Sequence, residues 1–276
     1  MRCAWKELTG ILSPWIRNQL TDEDQKKCAE IRLRLGKPPQ LILRGREHTL
    51  MGLVGEEDLR RTVNTASQYS PWAASSIAQG YITAAGGHRI GMAGETVIQQ
   101  GSMTGIRRVT SLCIRVARDI DGIAGQAGNL EGSILILGPP GSGKTTLLRD
   151  LIRERAEKGM FSVAVIDQRQ EIFPKDFRQG SRTDVLYGCS KAQGLEIAIH
   201  CLSPGTVAVD EITSAEDCDA LCAAAWCGVS LLATAHAGSL QDLRRRKIYE
   251  PLIRDRLFDH VILLGKDQTF TTERIG

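Results

Sequence analysis

Between residues 138 and 145 the chain reads GPPGSGKT, a lysine and a hydroxyl following three glycines within eight positions. Glycines at this spacing let successive backbone N–H groups turn inward. A helix starting directly behind them adds the positive end of its dipole, and the two together suit a polyphosphate. The expected nucleotide-binding residues are Gly138, Pro139, Pro140, Gly141, Ser142, Gly143, Lys144, Thr145 and Thr146. Lys144 would reach the β- and γ-phosphates, and the Thr145 hydroxyl would hold Mg²⁺. A glycine loop that makes only a tight turn is the plain alternative. The setting argues against it, because an apolar run at 134–137 precedes the loop and a helical stretch at 145–158, closed by Gly159, follows. The expected ligands are a nucleoside triphosphate and Mg²⁺.

Three further strand ends carry side chains that such a site needs. Residues 206–212 (TVAVDEI) form an apolar strand ending in two acids. Asp210 would face the metal's water shell, and Glu211 would orient or deprotonate the attacking water. Two adjacent acids can also make a surface turn. Residues 163–171 (VAVIDQRQE) place Asp167 at the end of the intervening strand, with Glu171 just beyond. Both could support the metal shell or the water, or could mark a simple strand-to-loop transition. Residues 233–237 (ATAHA) end the next strand with Thr234 and His236, and a polar side chain there can sense the γ-phosphate. His48, His200 and His260 read as structural. Phosphoryl transfer also calls for an arginine. Arg89 and Arg115 are the leading candidates, with Arg107, Arg108 and Arg118 beside them. An arginine acting across a subunit boundary would make activity depend on assembly.

The elements that must hold these residues follow from pattern. From 134 onward, strand and helix alternate: 134–137, helix 145–158, 163–167, a helix near 191–202, 207–210, helix 214–227 and 230–235. Repeated βα units imply an α/β domain with a mostly parallel sheet. The first part mixes helices at 12–19, 22–29 and 55–79 with short strands at 31–35, 41–43, 81–83, 88–92 and 112–116, a smaller α+β domain. The glycine-rich stretch 119–129 reads as the linker, giving domains 1–122 and 123–276.

Composition narrows the function classes. The chain has 276 residues, 42% hydrophobic and 24% charged, enough for two cores. A net charge of +3 and 5% aromatic content do not favour a nucleic-acid groove, so no nucleic-acid partner is expected. No secretory signal pattern is evident. The apolar, uncharged run 220–235 is short of the ~20 residues that span a bilayer, so the expectation is a cytoplasmic, non-spanning protein. Eight cysteines lack a C-x-x-C pair, and Cys218, Cys222 and Cys227 read as small buried hydrophobes. The basic run 244–247 reads as a solvated face.

With these residues in view, the chain resembles the stage III sporulation AA family, a branch of the type II and type IV secretion ATPase superfamily. The resemblance runs through EIRLRLGKPP (30–39), QGYITAAGGHRIGMAGE (79–95), SLCIRVARDIDG (111–122), the glycine loop, VIDQRQEI (165–172), SPGTVAVDEI (203–212) and ATAHA. It implies a RecA-like C-terminal ATPase core, with residues 138–145 as Walker A and Asp210–Glu211 as Walker B. Asp167 and Glu171 would be the aspartate box and His236 the histidine box. It further implies a homo-oligomeric, hexameric ring with ATP held between the two domains and near a neighbouring subunit. The ring would power a channel complex through integral-membrane partners on the mother-cell cytoplasmic side. The aspartate box lacks the proline usual in secretion ATPases, Walker B reads Asp–Glu where many have Gly–Glu, and no tetracysteine module is present. A nucleic-acid-directed RecA-like or AAA+-type ATPase is the competing enzyme reading. A GTPase switch is a third, but no N-K-x-D element for guanine is present.

Overall fold

The computed structural model describes residues 3–43, 46–67, 77, 80–128, 130–174, 177–265 and 269–275. They fall into two compact units, one comprising the residues up to Asp119 together with Phe177, the other running from Ile120 to Pro174 and from Arg178 onward.

The first unit is an antiparallel sheet with helices on one face. Strands β1 (Cys28–Arg34), β2 (Gln40–Leu43), β3 (Arg46–Thr49), β4 (Tyr81–Thr83), β5 (Arg89–Gln99) and β6 (Ser102–Arg115) are ordered β3-β2-β1-β6-β5-β4. Alternation decides the faces: Ile31, Leu33, Leu41, Ile82, Ile90, Leu112 and Ile114 point one way and are buried. They pack with Leu8, Ile11, Leu12, Ile16 and Leu59 from α1 (Trp5–Ile11), α2 (Pro14–Arg17) and α4 (Glu56–Ser67) and from the turn between the first two. The short helix α3 (Asp22–Lys27) begins at a capping box in which Thr21 and Asp24 satisfy each other's backbone N–H. The register of β1 on β6 sets Arg32 opposite Cys113 and Glu30 opposite Arg115.

Several sequence expectations shift here. The helix expected at 12–19 shrinks to the single turn of α2, and Trp5–Ile11 supplies a helix the pattern did not suggest. Of the stretch 55–79, Glu56–Ser67 is helical, and 68–76 with 78–79 lie outside the described residues. The strand expected at 88–92 is the start of an eleven-residue strand, and that at 112–116 the end of a fourteen-residue one, the two forming a long hairpin.

The second unit holds β7 (Ile134–Leu137), β8 (Val163–Asp167), β9 (Thr183–Tyr187), β10 (Thr206–Val209), β11 (Ser230–Ala235), β12 (His260–Leu264) and β13 (Phe270–Arg274), ordered β13-β12-β7-β11-β10-β8-β9. All neighbours run parallel except β12 and β13. Strands β7, β8 and β10 are buried along their whole length, as a sheet covered on both faces requires. The helices are α5 (Lys144–Lys158), α6 (Lys191–Ile197, continued by a wider π turn to Leu202), α7 (Ala215–Trp226), α8 (Leu240–Arg245) and α9 (Glu250–Arg254). Ser214 and Asp217 close a capping box at the start of α7, and Asp217 also pairs with Lys191 at 3.0 Å, tying α6 to α7. Cys218 and Cys222 are buried, whereas Cys227, just past the last turn of α7, is exposed; the expectation of three buried thiols holds for two.

Helix α5 is buried on most of its circumference. Leu147, Leu148, Leu151, Ile152 and Ala156 join the core, each leucine or isoleucine contributing about 1.5–3 kcal/mol. Arg153 is also inside, and its guanidinium donates to the Ile120 and Arg178 carbonyls and pairs with Asp121 at 2.7 Å. A buried cation needs such partners to avoid a large desolvation cost.

Candidate functional site

Four adjacent strands of the second unit, β7, β11, β10 and β8, end at one edge of the sheet. In parallel sheets that edge is where ligands bind. The glycine loop follows β7; Thr234 and His236 follow from β11; Asp210 and Glu211 follow β10; Asp167 ends β8 and Glu171 lies just past it.

The loop has the form that a phosphate cradle needs. Gly141 and Gly143 adopt φ of 75° and 99°, a left-handed conformation that a side chain would strain. A Cβ added to either would meet no atom within 4 Å, so the loop opens onto free space. At Gly138 a Cβ would lie 2.6 Å from Ser142 Oγ and 2.9 Å from the Leu264 carbonyl oxygen. The Ser142 hydroxyl is buried and has no hydrogen-bond partner among the described residues. Buried polar groups are normally paired, so this hydroxyl and the first-turn N–H groups of α5 suit an anionic ligand.

Lys144, the first residue of α5, folds back over the loop. Its ammonium donates to the carbonyl oxygens of Gly138 and Pro139, both at 3.0 Å, and lies 2.9 Å from His236 Nδ1. Burial pulls its pKa down, and the charges of Glu211 and Asp210 act against that. The Thr145 hydroxyl donates to Asp210 Oδ2 at 3.1 Å, and the Thr234 hydroxyl donates to Asp210 Oδ1 at 2.9 Å. Glu211 Oε1 lies 3.1 Å from His236 Nε2. A hydroxyl beside a carboxylate is the hard oxygen donor pair that Mg²⁺ accepts, with water and phosphate filling its remaining positions. The residues present therefore fit this ion. Among the described residues no group of three or more His, Cys, Asp or Glu forms a closed metal cage.

Asp167 organises the segment after β8. Its carboxylate accepts from the backbone N–H of Glu171 and of Phe173, each at 2.8 Å. Burial pushes its pKa up to about 6; the nearby Asp210 adds to the rise, and the backbone donors and Arg149 oppose it. Arg149 of α5 donates to the carbonyl oxygens of Glu171 and Ile172. Sequence reasoning passed over Arg149. Its only signal is a cation inside the buried stripe of a helix, five positions after Lys144. Arg89 and Arg115 belong to the first unit, where they stand opposite each other on β5 and β6 and Arg89 stacks over the Tyr81 ring at 4.1 Å.

The fold and this strand-edge cluster define a RecA-like P-loop protein with a smaller α+β unit before it. Solved structures with the same fold include the ATPase DotB of Legionella pneumophila, at a TM-score of 0.58, 18% identity, and coverage of 91% of this chain and 77% of that one. Another is the pilus retraction motor PilT with bound ADP, at a TM-score of 0.59, 17% identity, 89% of this chain and 78% of that one. The family model described as sporulation stage III, protein AA matches residues 4–274. Stage III sporulation protein AA of Bacillus subtilis (strain 168) is 36% identical over 279 aligned positions, covering 94% of this chain and 91% of that protein. The chain belongs to the sporulation stage III protein AA family.

Proposed function

We propose that this chain is a Mg²⁺-dependent ATPase that works as the cytoplasmic motor of a secretion-like channel complex during sporulation. The carrying observation is the convergence of Lys144, Thr145, Asp210 and Glu211 at one strand edge, beside an open glycine loop. Membership of the family supports the cellular role, and the fold is shared with the pilus retraction motor PilT and the ATPase DotB.

In this reading the loop N–H groups and Ser142 hold the phosphates, and Lys144 exchanges its present partners, His236 Nδ1 among them, for the β- and γ-phosphates. Thr145 and Asp210 would hold Mg²⁺, whose charge offsets that of the phosphate oxygens. Glu211 accepts a proton from water as the water oxygen bonds to the γ-phosphorus and the bond to the ADP oxygen breaks. Asp167 fixes the segment carrying Glu171, and Arg89 or Arg115 supplies further positive charge. The working form is a homo-oligomeric ring, hexameric by family resemblance, docked through integral-membrane partners on the mother-cell side. No described helix is long and apolar enough to cross a membrane.

Replacement of Glu211 tests the reaction. Glu211→Gln is expected to bind ATP within about threefold of the parent while turnover falls by about two to four orders of magnitude. Equal loss of binding and turnover would show that Glu211 supports the fold rather than the chemistry.

A further inference from the structure

Lys144, His236 and Glu211 form a continuous chain of contacts, and one arrangement of protons gives every donor in it an acceptor. The lysine ammonium has three N–H donors and no lone pair. It stands 3.0 Å from the oxygens of Gly138 and Pro139 and 2.9 Å from His236 Nδ1, so all three donors have an acceptor. His236 Nδ1 must then carry the lone pair, and the ring proton sits on Nε2, from which it donates to Glu211 Oε1 at 3.1 Å. The 3.3 Å approach of Nδ1 to the Gly138 oxygen carries no proton in this tautomer.

We infer that His236 is a positioning residue that latches Glu211 to Lys144 in the nucleotide-free chain, so that phosphate binding at the loop releases both. The inference rests on the nucleotide-binding reading above and adds how that site is regulated. Lys144 cannot reach a phosphate while its three donors are committed, so a nucleotide must break the contact with Nδ1. Without the ammonium beside it, the imidazole loses the interaction that fixes its tautomer and orientation, and its hold on Glu211 weakens. The half-exposed Glu211 is then free to take up water. Coupling of this kind is reciprocal: the grip on Glu211 also holds Lys144 away from phosphate and weakens nucleotide binding.

The test is ADP affinity with Mg²⁺, because ADP engages Lys144 without a γ-phosphate for His236 to sense. His236→Ala removes the latch and is expected to tighten ADP binding by roughly ten- to hundredfold, the worth of one charge-assisted hydrogen bond net of solvation. His236→Gln keeps an acceptor for Lys144 and a donor for Glu211, and is expected to restore the parent affinity. Nitrogen-resolved imidazole spectra of the nucleotide-free chain should show Nε2 protonated and Nδ1 bare, a pattern lost when ADP is added. Unchanged or weaker ADP binding in His236→Ala, or a ring protonated at Nδ1 without nucleotide, would overturn the latch. Failure of the parent chain itself to bind ADP would instead remove the nucleotide reading on which it rests.

Discussion

Asp167 is the residue where burial and charge oppose each other most openly. Its carboxyl titrates near pH 6 in the folded chain against an ordinary value of 3.8. Between these values the folded state holds a proton that the unfolded state has released, so stability falls as pH rises through that window. The effect amounts to about 3 kcal/mol at most. Asp167→Asn cannot titrate, and the stability of the parent relative to this variant should drop between about pH 3.8 and about pH 6, as read from urea midpoints. Parallel pH profiles for the two would contradict the assignment. At this scale the sequence was informative wherever chemistry is local. The G-x-x-x-x-G-K-T spacing and the acids ending two apolar runs need no knowledge of the fold to be read together. The contact of Lys144 with His236 spans 92 positions and depends on β11 lying next to β7, an order that spacing along the chain does not encode.

Elements position the site through close packing as much as through hydrogen bonds. Helix α6 crosses β8 at Gly194, where an added Cβ would lie 2.6 Å from Ile166 Cγ2 and 3.0 Å from Cys189 Sγ. Two effects compete in Gly194→Ala. Alanine gains about 1 kcal/mol of helix propensity, and overpacking costs about 1–3 kcal/mol. The contacts fall on a buried strand side chain with nowhere to move, so the clash should win, with a net loss of up to about 2 kcal/mol in chemical denaturation. A stabilised variant would show that the α6–β8 contact is looser than described. The buried parallel strands were legible because uninterrupted apolar runs have few alternatives. The β5–β6 hairpin was not, since its outer half is exposed and its alternation is broken by three register shifts. Strands β9, β12 and β13 were also missed. Strand β9 mixes charged with apolar residues, and β13 is largely exposed at the sheet edge.

At the scale of the whole molecule, the proposed ring predicts that turnover per chain rises with protein concentration and then levels off, as active assemblies replace single chains. Turnover that stays flat down to the concentration where sedimentation shows monomers would contradict a shared site. Beneath any assembly lies the claim that one chain carries one complete phosphate cradle. Calorimetric titration of ADP with Mg²⁺ into the full chain tests it most directly. Close to one nucleotide per chain is expected in the parent and no measurable binding in Lys144→Ala, with both proteins equally folded by circular dichroism. Equal binding by the two proteins, or none by the parent, would contradict it.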